Sequence, residues 1–405
     1  MDKSPHKVQV SRRKFLSFQY RFIPVVLTAA LLCATAASDQ TYARTRARLQ
    51  HIAVPQVLTR EPSVTAEAAC LIDVATGRIL YAKQADKRMR IASLTKIITA
   101  WIAVRSGKLD RVVTVSAHAV RQEGSSVYLS AGEQQTLRNL LYAMMLRSGN
   151  DSAMAIAEFL GGNEQRFAAI MNQEVHKLGL THSHFMNPHG LDHPEHYSTA
   201  HDMAVITAAA LRIPLFRKIV GTKFYTIPWP NQKWDRKLRN KNKLLWMMTD
   251  ADGVKTGYTR LSGRCLASSS TRAGRQVALI VLRDGNDWVD SARLLTYGLT
   301  AYERRNVVDL VHVRMRAPVR FGQQNTVPLK ALGDISYVFH CDETAAVEMK
   351  IVKLKVLSAP VRKGQVAGYV AYYLHGQKLG EARLATAEAV KAKGLLGRLR
   401  DLFMH

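Results

Sequence analysis

Ile91-Ala92-Ser93-Leu94-Thr95-Lys96-Ile97-Ile98-Thr99-Ala100-Trp101 is the stretch around which the rest of the chain is organised. It reads as the start of a helix buried on almost every side, because Leu94, Ile97, Ile98, Trp101 and Ile102 leave it no polar face. Into that apolar setting the sequence sets one hydroxyl, Ser93, and one amine, Lys96. Residues three apart on a helix lie over one another, so the two side chains can meet. Burial penalises a lysine's charged form and lowers its pKa. A neutral amine beside a hydroxyl is suited to act as its general base. Near a helix N-terminus, free backbone N–H groups can also hold a developing oxyanion. Alone the pattern is weak, since a lysine on an apolar helix can simply extend its ammonium to water.

Two further motifs follow in order. Thr136 to Leu146 has helical apolar spacing (Leu137, Leu140, Leu141, Met144, Met145) and is broken by Ser148-Gly149-Asn150-Asp151. Much later, Gly253-Val254-Lys255-Thr256-Gly257-Tyr258-Thr259 leads into Cys265 to Ser269, then a turn at Arg272 to Arg275 and the strand Val277 to Leu282. Ser93-x-x-Lys96, Ser148-x-Asn150 and Lys255-Thr256-Gly257 together place a nucleophile, its base, a second hydroxyl, an amide and a cation in one chain.

Outside these motifs, Ala68 to Asp73 and Arg78 to Ala82 read as a strand pair, and Val112 to Val115 as a short strand. Gly124 to Gly132 and Thr181 to Thr199 read as loops; Ser152 to Leu160, Phe167 to Leu178, Asp202 to Leu211 and Trp288 to Arg304 read as helices. The first domain, 64–305, is therefore α/β, with its strands drawn from both ends. From 306 to 386 alternating segments dominate, at Val311–Met315, Val319–Phe321, Ala346–Leu357, Gln365–Leu374 and Lys378–Leu384, and predict a small all-β domain. In the tail, 387–405, Leu395, Leu396, Leu399, Leu402 and Phe403 fall on one helical face and basic residues mainly on the others. A basic amphipathic helix of this kind suits an anionic membrane surface.

The 405 residues are 47% hydrophobic, as in a globular protein, and carry a formal charge of +27. Such a charge favours anionic partners: lipid headgroups, cell-wall polymer or nucleic acid. No nucleic-acid motif is present and the basic residues are scattered, so no nucleic-acid partner is expected. At the N-terminus a basic segment ending at Arg21, an apolar run from Phe22 to Leu32 and then small residues have the order of a signal peptide, assigned to 1–43. Cleavage after Ala36 or Ala43 fits equally. Ser11-Arg12-Arg13-Lys14-Phe15-Leu16 also resembles a twin-arginine signal, although the general export signal shares that basic start. Residues 44–63 are expected to be an exposed basic lead-in. Cys70, Cys265 and Cys341 are far apart and odd in number, so buried thiols are expected rather than disulfides. His193, His196 and His201 cluster without a zinc spacing, and no metal or other cofactor is expected.

The three motifs in this order resemble those of the serine-type D-Ala-D-Ala carboxypeptidases, the low-molecular-weight penicillin-binding proteins. Further similar stretches are Gly179 to Leu191, His196 to Asp202, Asp252-Gly253 and Leu294 to Gly298. The resemblance implies a penicillin-binding/β-lactamase-like transpeptidase domain, followed by the all-β domain and the amphipathic helix. It implies peptidoglycan stem peptides as substrates and β-lactams as inhibitors. It implies that Ser93 attacks the carbonyl of the penultimate D-Ala and that Lys96 takes its proton. Ser148 relays a proton to the leaving D-Ala, and Asn150 orients Lys96 and the substrate amide. Lys255 and Thr256 serve the terminal carboxylate on the strand that continues through Gly257, and the backbone N–H groups of Ser93 and Tyr258 form the oxyanion hole. The family's carboxylate-binding arginine loop here reads Arg283-Asp284-Gly285-Asn286-Asp287-Trp288, where Arg283 is the one candidate.

Other readings use the same residues. A D,D-endopeptidase needs the same motifs. A β-lactamase needs a carboxylate to drive deacylation, for which Glu158 and Glu164 stand nearest after Asn150. A non-catalytic wall-binding protein would need only the positive charge.

Overall fold

The computed structural model describes residues 58–230, 232–310, 315–340 and 343–394. The expected leader, the strand residues Val311 to Arg314, Cys341 and the tail from 395 lie outside the described residues.

The catalytic half is built on a five-stranded antiparallel sheet in the order β2-β1-β9-β8-β7. Its strands are β1 (Ala68–Asp73), β2 (Ile79–Lys83), β7 (Ala251–Thr259), β8 (Gly263–Arg272) and β9 (Arg275–Leu282). The pairing of Ala68 with Leu282 through Asp73 with Val277 joins the two ends of the domain's sequence. Alternate residues go to opposite faces, as strand geometry requires. Cys70, Ile72, Val254, Ala267, Ala278 and Ile280 face the larger core. Ala69, Leu71, Leu266, Val277, Leu279 and Val281 face a smaller one.

Ten helices belong to the described chain: α1 (Lys96–Arg105), α2 (Ala117–Val120), α3 (Leu137–Arg147), α4 (Asn150–Gly161), α5 (Glu164–Lys177), α6 (Ala200–Leu211), α7 (Pro214–Gly221), α8 (Leu244–Met247), α9 (Asp287–Thr300) and α10 (Val307–Leu310). Residues of α1, α3 to α7 fill the larger core, and α9 covers the other face through Ala292, Leu294, Leu295 and Tyr297. Side-chain caps at Thr136, Asn163 and Thr199 accept from backbone N–H groups and start α3, α5 and α6 where the sequence has a cap residue. Two small hairpins complete this half, β3 (Val112–Thr114) with β4 (Gln134–Thr136), and β5 (Phe224–Ile227) with β6 (Arg236–Arg239). The second lies in a stretch that shows no clear period in the sequence.

Three boundaries differ from the sequence reading. The nucleophile sits in a 3-10 turn, Ala92–Thr95, and the α-helix proper begins at Lys96. The last helix ends at Thr300 rather than Arg304, because Tyr302 to Asn306 form a strand, β10, whose partner β13 (Ser336–His340) belongs to the second domain. Residues 387–394, assigned to the tail helix, run extended: Val390 is buried in the β core and exchanges backbone hydrogen bonds with Val361, and Lys393 N–H donates to Phe321 O. Docking of that apolar side chain outweighs helical propensity in this segment.

The second domain carries a six-stranded sheet in the order β14-β16-β17-β12-β11-β15. Its members are β11 (Arg316–Arg320), β12 (Thr326–Leu332), β14 (Val347–Leu354), β15 (Leu357–Ser358), β16 (Val366–Leu374) and β17 (Gln377–Thr386). Its core includes Val319, Val327, Leu329, Phe339, Val370 and Tyr372. Among the described residues no helix is long and apolar enough to cross a membrane.

The two halves meet at Arg78, in the turn before β2. Its guanidinium donates to Val338 O at 2.5 Å and to both oxygens of Glu343 at 2.5 and 2.7 Å, between the rings of Tyr302 and Tyr337. Nη2 alone meets both carboxylate oxygens while Nη1 takes the Val338 carbonyl, and such charge-assisted hydrogen bonds are strong when half-buried. Removing one partner leaves the other short of its hydrogen bonds. Arg78→Ala should therefore destabilise the protein by about 1–3 kcal/mol. A lower thermal midpoint and faster proteolysis near residue 300, with the acylation site still reactive, would show it; an unchanged midpoint would not fit.

Candidate active site

Lys96 is the centre of the site. Its side chain is fully buried, and its Nζ lies 2.9 Å from Ser93 Oγ, 2.7 Å from Asn150 Oδ1 and 2.7 Å from the carbonyl oxygen of His189. Burial, then the nearby Lys255 and Lys241 ammonium groups, pushes its pKa well below that of a free lysine. A neutral amine has two hydrogens and one lone pair. The Asn150 and His189 oxygens can only accept, so they take the two hydrogens and the lone pair is left for the Ser93 hydroxyl. That is the arrangement a general base needs.

Each partner is held by a local device. Ala92 adopts φ 47, a left-handed conformation that non-glycine residues rarely take, and turns the chain into the 3-10 turn. Gly190, at φ +87, permits this: a Cβ there would stand 1.9 Å from Ala92 O. Thr95 Oγ donates to Ala92 O at 2.9 Å and lies 2.8 Å from His196 Nε2. His196 Nδ1 accepts from Met186 N–H, so the ring proton resides on Nε2 and points at Thr95. Burial pushes the His196 pKa down to about 3, which keeps the ring neutral. Of the three clustered histidines, His196 braces the nucleophile turn, His193 accepts from Glu195 N–H and His201 pairs with Asp202.

Asn150 opens α4 directly after the break. Ser148, at φ 67, ends α3 in the left-handed region, and Gly149 leaves room for the Asp151 and Ser152 side chains. Asp151 accepts from Ser126 Oγ and from the N–H groups of Val127 and Leu129, which fixes the loop beside the cleft. The third motif arrives on β7, the free edge of the sheet. Gly257 lets it approach the nucleophile turn: a Cβ there would lie 3.1 Å from Ile91 O and 3.2 Å from Ser93 N. Lys255 is buried, and its Nζ donates to Ser148 Oγ at 3.0 Å and to Thr256 O at 2.7 Å. Burial, then Lys241, pushes it down to about 7.

The structure therefore brings Ser93, Lys96, Ser148, Asn150, Lys255, Thr256, Gly257 and Tyr258 to one place. Ser93, Ser148, Thr256, Gly257 and Tyr258 line a cleft of about 490 Å³, with Lys255 and Lys96 beneath it. Arg283 does not reach this cleft. Its guanidinium donates to Leu261 O at 2.7 Å and pairs with Glu67 at 3.2 Å. Lys241 and Ser125 also line the cleft, 3.1 Å apart, and neither was selected from the sequence. The signal for Lys241 was its neighbours: Asn240 and Asn242 fold a tight turn through their side-chain oxygens and present the lysine between them. Cys265 touches the cleft, but burial pushes its thiol up to about 11, so Ser93 has no thiolate rival. Cys70 and Cys265 are buried free thiols, as expected.

Among the described residues no glutamate lines the cleft. Glu158 pairs with His118, and Glu164 lies 3.7 Å from the His189 ring without a hydrogen bond to it. The cleft's carboxylate, Asp287, is engaged by Arg264.

A serine activated by a buried, neutral lysine, with a cationic strand edge across the cleft, defines a serine acyl-enzyme hydrolase or transferase of the penicillin-binding type. The family profile described as D-alanyl-D-alanine carboxypeptidase, Peptidase S11, matches residues 56–286, and that of the penicillin-binding protein 5 C-terminal domain matches 302–392. D-alanyl-D-alanine carboxypeptidase DacF of Bacillus subtilis is 32% identical over 354 residues, which cover 84% of this chain and 90% of that protein. DacC of Escherichia coli is 33% identical over 367 residues, 85% of this chain and 88% of that one. The crystal structure of penicillin binding protein 5 from Haemophilus influenzae superposes with a TM-score of 0.65 at 32% identity, covering 82% of this chain and 99% of that chain. The chain belongs to the D-alanyl-D-alanine carboxypeptidase family.

The two lysines set a pH dependence. As a base Lys96 would have to be neutral, and to attract a carboxylate Lys255 would have to be charged. In the free enzyme Lys255 loses its charge as pH rises through about 7, so kcat/KM should fall above that pH. A bound carboxylate favours the ammonium form and raises that pKa, so the alkaline limb of kcat should lie at higher pH than that of kcat/KM. Coincident alkaline limbs in the two profiles would contradict this assignment.

Proposed function

We propose the following course for this serine D-Ala-D-Ala carboxypeptidase. Ser93 Oγ attacks the carbonyl carbon of the penultimate D-Ala while its proton passes to Lys96 Nζ. The resulting oxyanion is held by the backbone N–H groups of Ser93 and Tyr258. The C–N bond then breaks, and a proton relayed through Ser148 leaves with the amine of the terminal D-Ala. Water, deprotonated by Lys96, cleaves the ester and frees the shortened stem peptide. Asn150 keeps the amine oriented through both steps, Lys255 supplies positive potential for the terminal carboxylate, and Thr256 hydrogen-bonds it. Penicillin, which also presents an amide and a carboxylate, acylates the same Ser93.

One observation carries this reading: the Lys96 amine has its two acceptors supplied by Asn150 and His189, and its remaining direction is Ser93. The position of Lys255 beside Ser148 supports a carboxylate-bearing substrate. The absence of a glutamate among the cleft-lining residues weighs against fast deacylation of a β-lactam.

The substrate is cell-wall peptide, and we infer that the leader 1–43 exports the protein to the periplasm or the outer face of the cytoplasmic membrane. Segment 395–405 then rests on anionic lipid, a reading supported by its apolar stripe, its basic flanks and the net charge of +27.

Release of D-alanine from a pentapeptide ending in D-Ala-D-Ala tests the reaction. Wild type should release it, and Ser93→Ala should lose at least about a thousandfold in kcat. Wild type that labels with penicillin yet releases nothing would point to a crosslink endopeptidase; neither release nor labelling would leave only wall binding. For the tail, the mature chain should co-sediment with vesicles rich in phosphatidylglycerol, and the chain ending at residue 394 should stay in solution. Equal sedimentation of the two would remove that segment's role.

A further inference from the structure

Beyond the nucleophile, the cleft reaches a charged group that belongs to none of the three motifs. Arg264, Asp287 and Trp288 also line it. In the β7–β8 pairing Arg264 stands opposite Tyr258, and Leu266 stands opposite Thr256. Paired residues share a face of the sheet, as do residues two apart on one strand. The side chains of Thr256, Tyr258 and Arg264 therefore leave the sheet on the same side, and all three border the same cleft.

Arg264 is also held in place. Its Nη2 donates to Asp287 Oδ1, and that oxygen accepts from the N–H of Trp288 at the start of α9. The Asp287 side chain is 6% exposed, whereas that of Arg264 is 46% exposed. The buried carboxylate thus fixes one prong of the guanidinium and leaves donors open to the cleft. Lys255 cannot supply the same contact: it is 2% exposed, and its Nζ is committed to Ser148 Oγ and Thr256 O. Lys255 contributes field. A planar, permanently charged fork is the group that matches a carboxylate in two hydrogen bonds.

We propose that Arg264, with the Thr256 hydroxyl, binds the terminal carboxylate of the substrate, and that Asp287 is the positioning residue that aims it. This rests on the carboxypeptidase reading of the same cleft and adds its specificity: a free C-terminal carboxylate is read by an arginine on β8, while Arg283 on the neighbouring loop is turned towards Glu67. An internal crosslink with no carboxylate at that point forgoes the contact.

The experiment compares kcat/KM of the mature enzyme on two substrates, an N-acylated tripeptide ending in D-Ala-D-Ala and the same peptide with its terminal carboxylate converted to the amide. Wild type should prefer the acid. Arg264→Gln should lose about 30- to 1000-fold on the acid and little on the amide, so that the preference collapses. Arg264→Lys should recover part of it, and Asp287→Asn should give an intermediate loss, on the acid alone. An acid preference that survives in Arg264→Gln overturns the proposal, as does an equal loss on both peptides, which a merely structural role would produce. If Arg264→Gln fails to fold, the acid-to-amide ratio of Arg264→Lys decides in the same way. Wild type that cleaves neither peptide defeats the carboxypeptidase reading itself; wild type that cleaves both, with the ratio unmoved by substitution, defeats only the role of Arg264.

Discussion

The site depends on removing one ammonium group from water without leaving its amine unsatisfied. A lysine as buried as Lys96 cannot keep its charge cheaply, and once neutral it still has two hydrogens to place. The chain supplies one acceptor from a side chain, Asn150, and one from the backbone, His189 O. Most of the irregular structure nearby serves those two positions. The break at Ser148-Gly149 puts Asn150 at the head of α4, and the positive φ of Gly190 lets the 187–191 loop pass over Ala92. The base is thus made by placement, and the apolar helices around it supply the low dielectric that keeps it neutral.

Lys255 reaches the same cleft by a different route and keeps a different protonation state. It lies deep in the sheet, but Ser148 Oγ and Thr256 O accept its hydrogens; burial lowers its pKa to about 7, and lowers that of Lys96 well below the usual lysine value. Two lysines within one cavity repel each other's charge, so the environment separates their roles: one neutral base, one cation. The same logic separates the acids. Asp287 is tied to Arg264 and Glu158 to His118, and neither Glu158 nor Glu164 is among the residues that line the cleft.

Much of this was legible in the sequence. The three motifs named every residue around Ser93 that the structure gathers from those stretches, and strong apolar periods placed α3, α6 and the β8–β9 hairpin within a residue or two of their observed positions. What was hidden had physical causes. His189 acts through its carbonyl, and a backbone atom leaves no side-chain signature. Lys241 arrives on a turn whose hairpin, β5–β6, puts a charged residue, Arg236, at a buried position of β6, so its inward residues show no apolar alternation. Arg264 looks like any surface arginine until the register sets it beside Thr256. The segment 387–394 read as the start of a helix, yet one buried valine holds it in extended form.

The central sheet also sets the order in which the molecule can come into being. Strand β1 pairs locally with β2, but its other neighbour is β9, some two hundred residues further on, and the Ser93 turn meets β7 across an interval of more than a hundred and fifty residues. Contacts of such long range form late, because a large loop must close before they reward it. A chain emerging N-terminus first therefore presents Ser93 and Lys96 while β7 to β9 do not yet exist. Until those strands arrive, the lysine lacks the sheet edge that helps to exclude water from it, and it stays an ordinary charged side chain. A complete site therefore needs the last three strands of the domain as well as the helix that carries its lysine.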